Sequence, residues 1–307
     1  MLLSAQPGPI VVLTREGERN EFRDDAFVDE LETFGGGEVS DPLESFARLA
    51  DKHRLLHARV GVEVPAYYLH PHHYLGVKQL LGGALVAEPT NLILDLTLIK
   101  STAELAYIRR AARIGDDAMA AFANALGQGR TELAVAGKVY DALLSGGSGI
   151  PASTLNLVSG ERSCFSHGAP TERQLRRGDF GSVEYGSAYR RYTSTIGRQF
   201  SIGAPTPRMR ELHDIVKRAC DACIAEIRDG APAVAPHEAA KKIIGDAGLE
   251  HGRVHTSGYG LAPGFPPTWG EPLHMIGGSE YRLKAGMVVT VEPPVFLGEE
   301  RLGARII

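Results

Sequence analysis

Apolar positions change their spacing along the chain. Pro9-Ile10-Val11-Val12-Leu13-Thr14 is a β-branched run followed by Arg15-Glu16-Gly17-Glu18, which reads as a strand closed by a turn. A helix is expected over Asp41 to His53, opening at Ser-Asp-Pro. A strand follows over Arg59 to Val64, and then a helix from about His72 to Leu81. This alternation predicts a small α/β domain ending near Leu98.

The pattern then lengthens. Ser101 followed by Glu104 forms a capping box for an amphipathic helix over Ala103 to Ala125. Gly127 to Glu132 precede a helix over Leu133 to Leu144, and Asp229 to Pro232 precede one over His237 to Ala247, an echo that suggests two related halves. Strands are expected over Thr154 to Val158, Asp179 to Tyr185, Tyr189 to Phe200 and Met287 to Val291. The second region therefore combines long helices with antiparallel strands.

Composition narrows the function classes. With 307 residues, 43% of them hydrophobic, the chain can bury one large core or two moderate ones. A formal charge of −4 leaves no basic footprint for nucleic acid, so a small-molecule substrate is the expected partner. The sequence has no apolar run long enough for a bilayer and no signal-peptide pattern at Met1 to Gly8, so the protein is expected to be cytoplasmic and without a membrane partner. Three cysteines make no disulfide framework, and the pair Cys220 and Cys223 falls inside a helical stretch, Glu211 to Arg228, where packing is the expected role.

Several motifs stand in a recognisable order. They are Ile99-Lys100-Ser101-Thr102-Ala103-Glu104, Ser159-Gly160 before Ser166-His167-Gly168, Leu175-Arg176-Arg177-Gly178-Asp179, and Lys284-Ala285-Gly286-Met287 leading to Val291-Glu292-Pro293. In this order they resemble the superfamily of creatinase, aminopeptidase P, prolidase and methionine aminopeptidase. The resemblance implies an α+β chain with a pita-bread domain over 99–307, a truncated α/β domain over 1–98, and a homodimer with its site in a central cleft. The first segment is shorter than that superfamily's N-terminal domain, and the chain stops within an expected strand. Either the protein continues beyond these residues or that strand is remodelled.

Metallopeptidases of that superfamily hold two divalent ions with Asp, His and Glu side chains, since hard cations need several anionic oxygens. At the matching positions this chain has Glu184, Thr195, Tyr259, Glu292 and Ile307. Only the two glutamates retain a carboxylate, so the resemblance implies no metal centre and no cofactor. The block Gly258-Tyr259-Gly260-Leu261 before Pro266-Pro267-Thr268-Trp269-Gly270-Glu271 is similar to the ectoine hydrolase branch, which like creatinase works without metal.

These features lead to an expectation of a metal-independent hydrolase acting on a carbon–nitrogen bond of a small nitrogenous compound, ectoine-like or creatine-like. Such chemistry needs a proton shuttle, an anionic group and a polar donor. His167 is the expected acid and base, with Glu184 and Glu292 as cleft carboxylates whose mutual repulsion raises at least one pKa. Each glutamate has a competing reading as the ion-pair partner of an arginine such as Arg198 or Arg305. Tyr259, Trp269, Glu271, His255 and Thr195 are the expected substrate contacts, and His274 is a further cleft candidate. Trp269 fits a core residue as readily as a wall for a cation. His70, His72 and His73 are read as a loop because Pro71 interrupts them. A lyase or cyclase on the same scaffold, and a non-catalytic binding protein, are the competing functions.

Overall fold

A computed structural model describes residues 1–64 and 69–307. The chain divides into two compact units, Met1–Leu92 and Ile93–Ile307.

In the first unit, β1 (Val11–Arg15) pairs in parallel with β2 (Glu30–Phe34), and α1 (Arg19–Asp25) links them. Helix α2 (Pro42–Lys52) opens where the cap predicts: the Asp41 side chain accepts from Leu43 N, and Pro42 takes the first turn, where its missing N–H costs nothing. The strand expected to reach Val64 is only β3 (Val60–Gly61). It is followed by α3 (Pro71–Leu81) and by β4 (Leu85–Ala87), which pairs with β3 in parallel. His70 caps α3 through its ring nitrogen and His72 and His73 lie within the helix, so Pro71 starts this helix where a loop was expected.

Helix α4 (Leu92–Thr97) spans the boundary between the units. The second unit continues with α5 (Thr102–Ala125), whose capping box of Ser101 and Glu104 is formed as the sequence predicts. After α6 (Glu132–Ser145) come β5 (Asn156–Ser159), β6 (Phe180–Tyr189) and β7 (Tyr192–Ser201). Next are α7 (Pro207–Glu226), α8 (Val234–Asp246), β8 (Gly258–Phe265), β9 (Thr268–His274), β10 (Val289–Val291), β11 (Val295–Leu297) and β12 (Leu302–Ala304). The main sheet is antiparallel with order β10-β8-β7-β6-β5, and β9 pairs with β8.

Helix α5 covers one face of this sheet. Val183 and Tyr185 of β6 and the partly buried Ile196 of β7 pack with Ile114, Ala118 and Phe122, and Tyr185 Oη donates to Gly115 O at 2.9 Å. A second core joins Leu212, Val216 and Ala219 of α7 to Ala240 and Ile244 of α8, with Val295 and Ala304 beneath them. Cys220 and Cys223 belong to it, and burial pushes each thiol up to about 12, which suits packing rather than redox chemistry.

The two-part echo has a backbone counterpart. Gly129 N donates to Leu175 O and Gly230 N to Leu283 O, each at 2.8 Å, while Leu175 N returns to Arg130 O and Leu283 N to Ala231 O, also at 2.8 Å. The same turn-to-turn clamp thus closes below α6 and below α8. Among the described residues no helix is long and apolar enough to cross a membrane.

Candidate active site

Strand periodicity decides which β6 and β7 residues face away from α5. Successive side chains alternate, so with Val183 and Tyr185 in the helix-covered core, Glu184 and Gly186 point to the opposite face. Directly paired residues share a face, and the register sets Gly186 opposite Thr195 and Glu184 opposite Gly197. Glu184 and Thr195 therefore lie on the same face of the sheet.

Glu184 is 4% exposed, and its carboxylate is bound by Arg305 Nη1 and by Asn156 Nδ2 at 3.1 Å. The arginine pairing noted for it in the sequence is thus formed. Thr195 Oγ1 is buried with no hydrogen-bond partner. Ile307 packs on Gly197, where a Cβ would come within 2.9 Å of the isoleucine side chain, so an apolar group occupies the last of the five matched positions.

Glu292 follows β10 and is 2% exposed. Its Oε1 makes no hydrogen bond, although His255 Nδ1 lies 3.4 Å away. Burial alone pushes this carboxyl up to about 8, so it is mostly protonated at neutral pH. Repulsion from Glu184 is not the cause, because Arg305 neutralises Glu184.

His167 sits in the loop between β5 and β6, its ring centroid 5.3 Å from that of His255. Gly168 behind it admits no side chain, since a Cβ would meet Val158 Cγ1 at 2.3 Å; the loop lies directly on β5 there, and Leu157 N donates to Gly168 O. Partial burial, then the charges of Arg305 and His255, hold His167 below the usual imidazole value, and burial does the same for His255. Both rings are neutral near pH 7 and able to accept a proton.

Tyr259 on β8 accepts from Trp269 Nε1 at 2.9 Å, and its ring lies 5.8 Å from that of His274 on β9. Burial raises the phenol further above its usual range, so it stays an O–H donor. Trp269 packs in a core with Ala152 and Leu261, so of its two readings the structure takes the core one. Glu271, expected as a substrate contact, is paired with Lys100 Nζ at 2.5 Å.

The structure thus brings His167, His255 and Glu292 together, with His274 close enough to act on His255 and Tyr259 close enough to feel Glu292, while Glu184 is engaged by Arg305. Arg305 entered the sequence reading only as a possible partner, yet it is 3% exposed and contacts both Glu184 and Ser166. Its signal was the basic residue in Ala304-Arg305-Ile306, a buried-strand context where an unpaired arginine is not tolerated.

Comparison with known proteins places this geometry. The family model described as Metallopeptidase family M24 matches residues 106–307. The chain is similar to the Xaa-Pro dipeptidase of Pyrococcus furiosus, 30% identical over 211 residues that make up 67% of this chain and 58% of that protein. It is also similar to the Xaa-Pro dipeptidase of Pyrococcus horikoshii, 27% identical over 88% of this chain and 76% of that one. The structure of dipeptidase PepE from Mycobacterium ulcerans superposes with a TM-score of 0.81 at 26% identity, covering 98% of this chain and 78% of that chain. The pita-bread fold is therefore confirmed. The expectation of a metal-independent ectoine-like or creatine-like hydrolase is overturned, because these relatives carry the names of dipeptidases and the matched family is one of metallopeptidases.

The family name implies metal ions, and the side chains present can be weighed against that. At the five matched positions Glu184 is paired with a guanidinium, burial pushes Glu292 up to about 8, and a hydroxyl, a phenol and an alkyl group fill the rest. Among the described residues no group of three or more His, Cys, Asp or Glu is arranged to hold a metal ion. This donor set does not fit a two-ion centre.

Proposed function

Because the chain belongs to metallopeptidase family M24, we propose that its cleft takes short peptides of the dipeptide class, including Xaa-Pro dipeptides, and that it hydrolyses their peptide bond. One observation carries the reading: Glu292 Oε1 and Thr195 Oγ1 are buried polar atoms with no partner. A buried oxygen without a donor is costly, by about 1–3 kcal/mol, unless a ligand or water completes it. A dipeptide supplies N–H donors and carbonyl acceptors within one small molecule.

Peptide hydrolysis adds water across the amide, so a proton must leave the water and another must reach the departing amine. His167 and His255 are neutral acceptors at pH 7, and the protonated Glu292 carboxyl beside His255 is a donor. Tyr259 Oη, already accepting from Trp269, is free to donate its own proton toward a carbonyl or carboxylate.

The test is a panel of Xaa-Pro and other dipeptides, read by thermal shift and by release of free amino acid, each with and without manganese, cobalt or zinc. A rise in melting temperature with turnover of at least one dipeptide is expected. If no dipeptide binds or is cleaved under any ion condition, the proposal is wrong.

A further inference from the structure

The guanidinium of Arg305 is wholly inside the protein and touches two parts of the site. Its Nη1 donates to Glu184 on β6, its Nη2 donates to the carbonyl oxygen of Ser166, and its face lies over the Phe296 ring with Cζ 5.2 Å from the centroid. Its own backbone N–H is held by Gln199 Oε1 of β7 at 3.0 Å. Ser166 is the residue immediately before His167 in the loop between β5 and β6.

We infer that Arg305 is the positioning residue for His167: by gripping the Ser166 carbonyl while anchored on Glu184, it fixes where the His167 imidazole stands relative to His255. A planar fork makes this possible, since two donors leave the guanidinium in fixed directions and can tie a strand carboxylate and a loop carbonyl at once. Ser166 Oγ adds a local restraint, lying 3.4 Å from His167 Nδ1. The other ties of the loop grip different residues: Arg162 Nη2 donates to Ala169 O at 2.7 Å, Leu157 N to Gly168 O at 2.9 Å, and Thr171 N to Glu132 Oε2 at 3.0 Å. Removal of the Arg305 fork frees the Ser166 carbonyl, which none of those ties holds. Among the described residues the groups facing His167 are Arg305, Ser166 and His255, and no carboxylate among them takes over the task.

The inference concerns the cleft described above but needs no ligand, so it can fail or hold independently of the dipeptide reading. The experiment records imidazole NMR signals of the full chain, assigned with His167→Gln and His255→Gln. In the unaltered protein a cross-relaxation peak between the two rings is expected. In Arg305→Met that peak is lost and the His167 ring signals move toward those of a solvated histidine. In Arg305→Ala, millimolar guanidinium restores them. An unchanged His167 signal and inter-ring peak in folded Arg305→Met, with folding verified by the emission of Trp269, would overturn the inference. If Arg305→Met does not fold, Arg305→Lys carries the test. An ammonium keeps the charge beside Glu184 but lacks the fork, so the His167 signals must still move, and their staying put counts against the role.

Discussion

Lys100 and Glu271 form an ion pair at 2.5 Å in which each side chain is 1% exposed. Lys100 Nζ also donates to Leu98 O at 3.1 Å, so the segment leading into α5 is tied to the middle of β9. Removing one partner strands the other charge in the interior, at a cost of about 3–5 kcal/mol, whereas replacing both by neutral groups of similar size is nearly neutral. Lys100→Met and Glu271→Gln should each lower the urea midpoint strongly, and the double variant should recover most of the loss. A double variant as unstable as the sum of the singles would contradict this.

The same pair gives stability a pH dependence. Burial, outweighing the attraction of Lys100, raises Glu271 from 4.5 to about 7. The folded state then binds this proton more tightly than the unfolded one. Its contribution is present in full below about pH 4.5 and is lost as pH rises through about 7. Lys100 is shifted down by burial, so its contribution is present at high pH and lost as pH falls through its lowered value. Relative to the double variant, which titrates at neither site, the unaltered protein should lose stability between pH 4.5 and 7, by at most about 1.4 kcal/mol per pH unit. Parallel curves from urea titrations across that range would rule the linkage out.

Trp269 is the single tryptophan of the chain and reports on Tyr259 directly. Gly186 leaves room for it: a Cβ there would lie 2.9 Å from indole Cε3. Overpacking of that kind typically costs about 1–3 kcal/mol. Gly186→Ala should therefore shift the indole, break its hydrogen bond to Tyr259 and move the emission to longer wavelength. Tyr259→Phe removes the acceptor and leaves the indole N–H unpaired, with a loss of about 1–3 kcal/mol. Emission unchanged in both variants would mean that Trp269 does not rest on Tyr259.

Local signals were the legible ones. Asp41 before Pro42 and Ser101 with Glu104 located two helix starts, because a cap is written within a few residues. Thr206 before Pro207 was an equally clear cap, but the expected helix opened at Glu211 because its first turn is polar. Strand β9 was not anticipated, since Pro266, Pro267 and Pro272 argue against a ladder; it forms as the strand beyond β8, off the main sheet order. Motif order singled out His167, Glu184, Tyr259 and Glu292 as candidates. It could not show that Glu271 turns to Lys100, 171 positions away, or that Arg305 takes Glu184, because such pairings exist only after folding. Reading replaced ligands as evidence for another substrate failed for a related reason. The side chains at those positions determine which donors are present, not which molecule fills the cleft.

Glu132 governs the far side of the loop that carries His167. It is wholly buried at the first position of α6. Ser159 Oγ donates to its Oε1 at 2.6 Å, while Arg162 Nη1, Thr171 N and Thr171 Oγ1 all donate to Oε2. These donors come from Ser159 at the end of β5 and from Arg162 and Thr171 on either side of His167, so one carboxylate ties the part of the loop that carries it. Glu132→Gln puts an amide N–H₂ among donors and leaves the Arg162 charge without its partner, a loss of about 3–5 kcal/mol. The exposed pair Arg208 and Glu300, with side chains 34% and 39% exposed, is the natural control, because breaking it should cost no more than about 1 kcal/mol. Hydrogen exchange provides the readout: in Glu132→Gln the amides of residues 160–178 and that of Leu157, which donates to Gly168 O, should exchange faster, while those of α7 keep their protection. A folded Glu132→Gln protein in which this segment exchanges at the original rate would mean that the loop is held by its other contacts, Arg173 with Asp179 foremost among them.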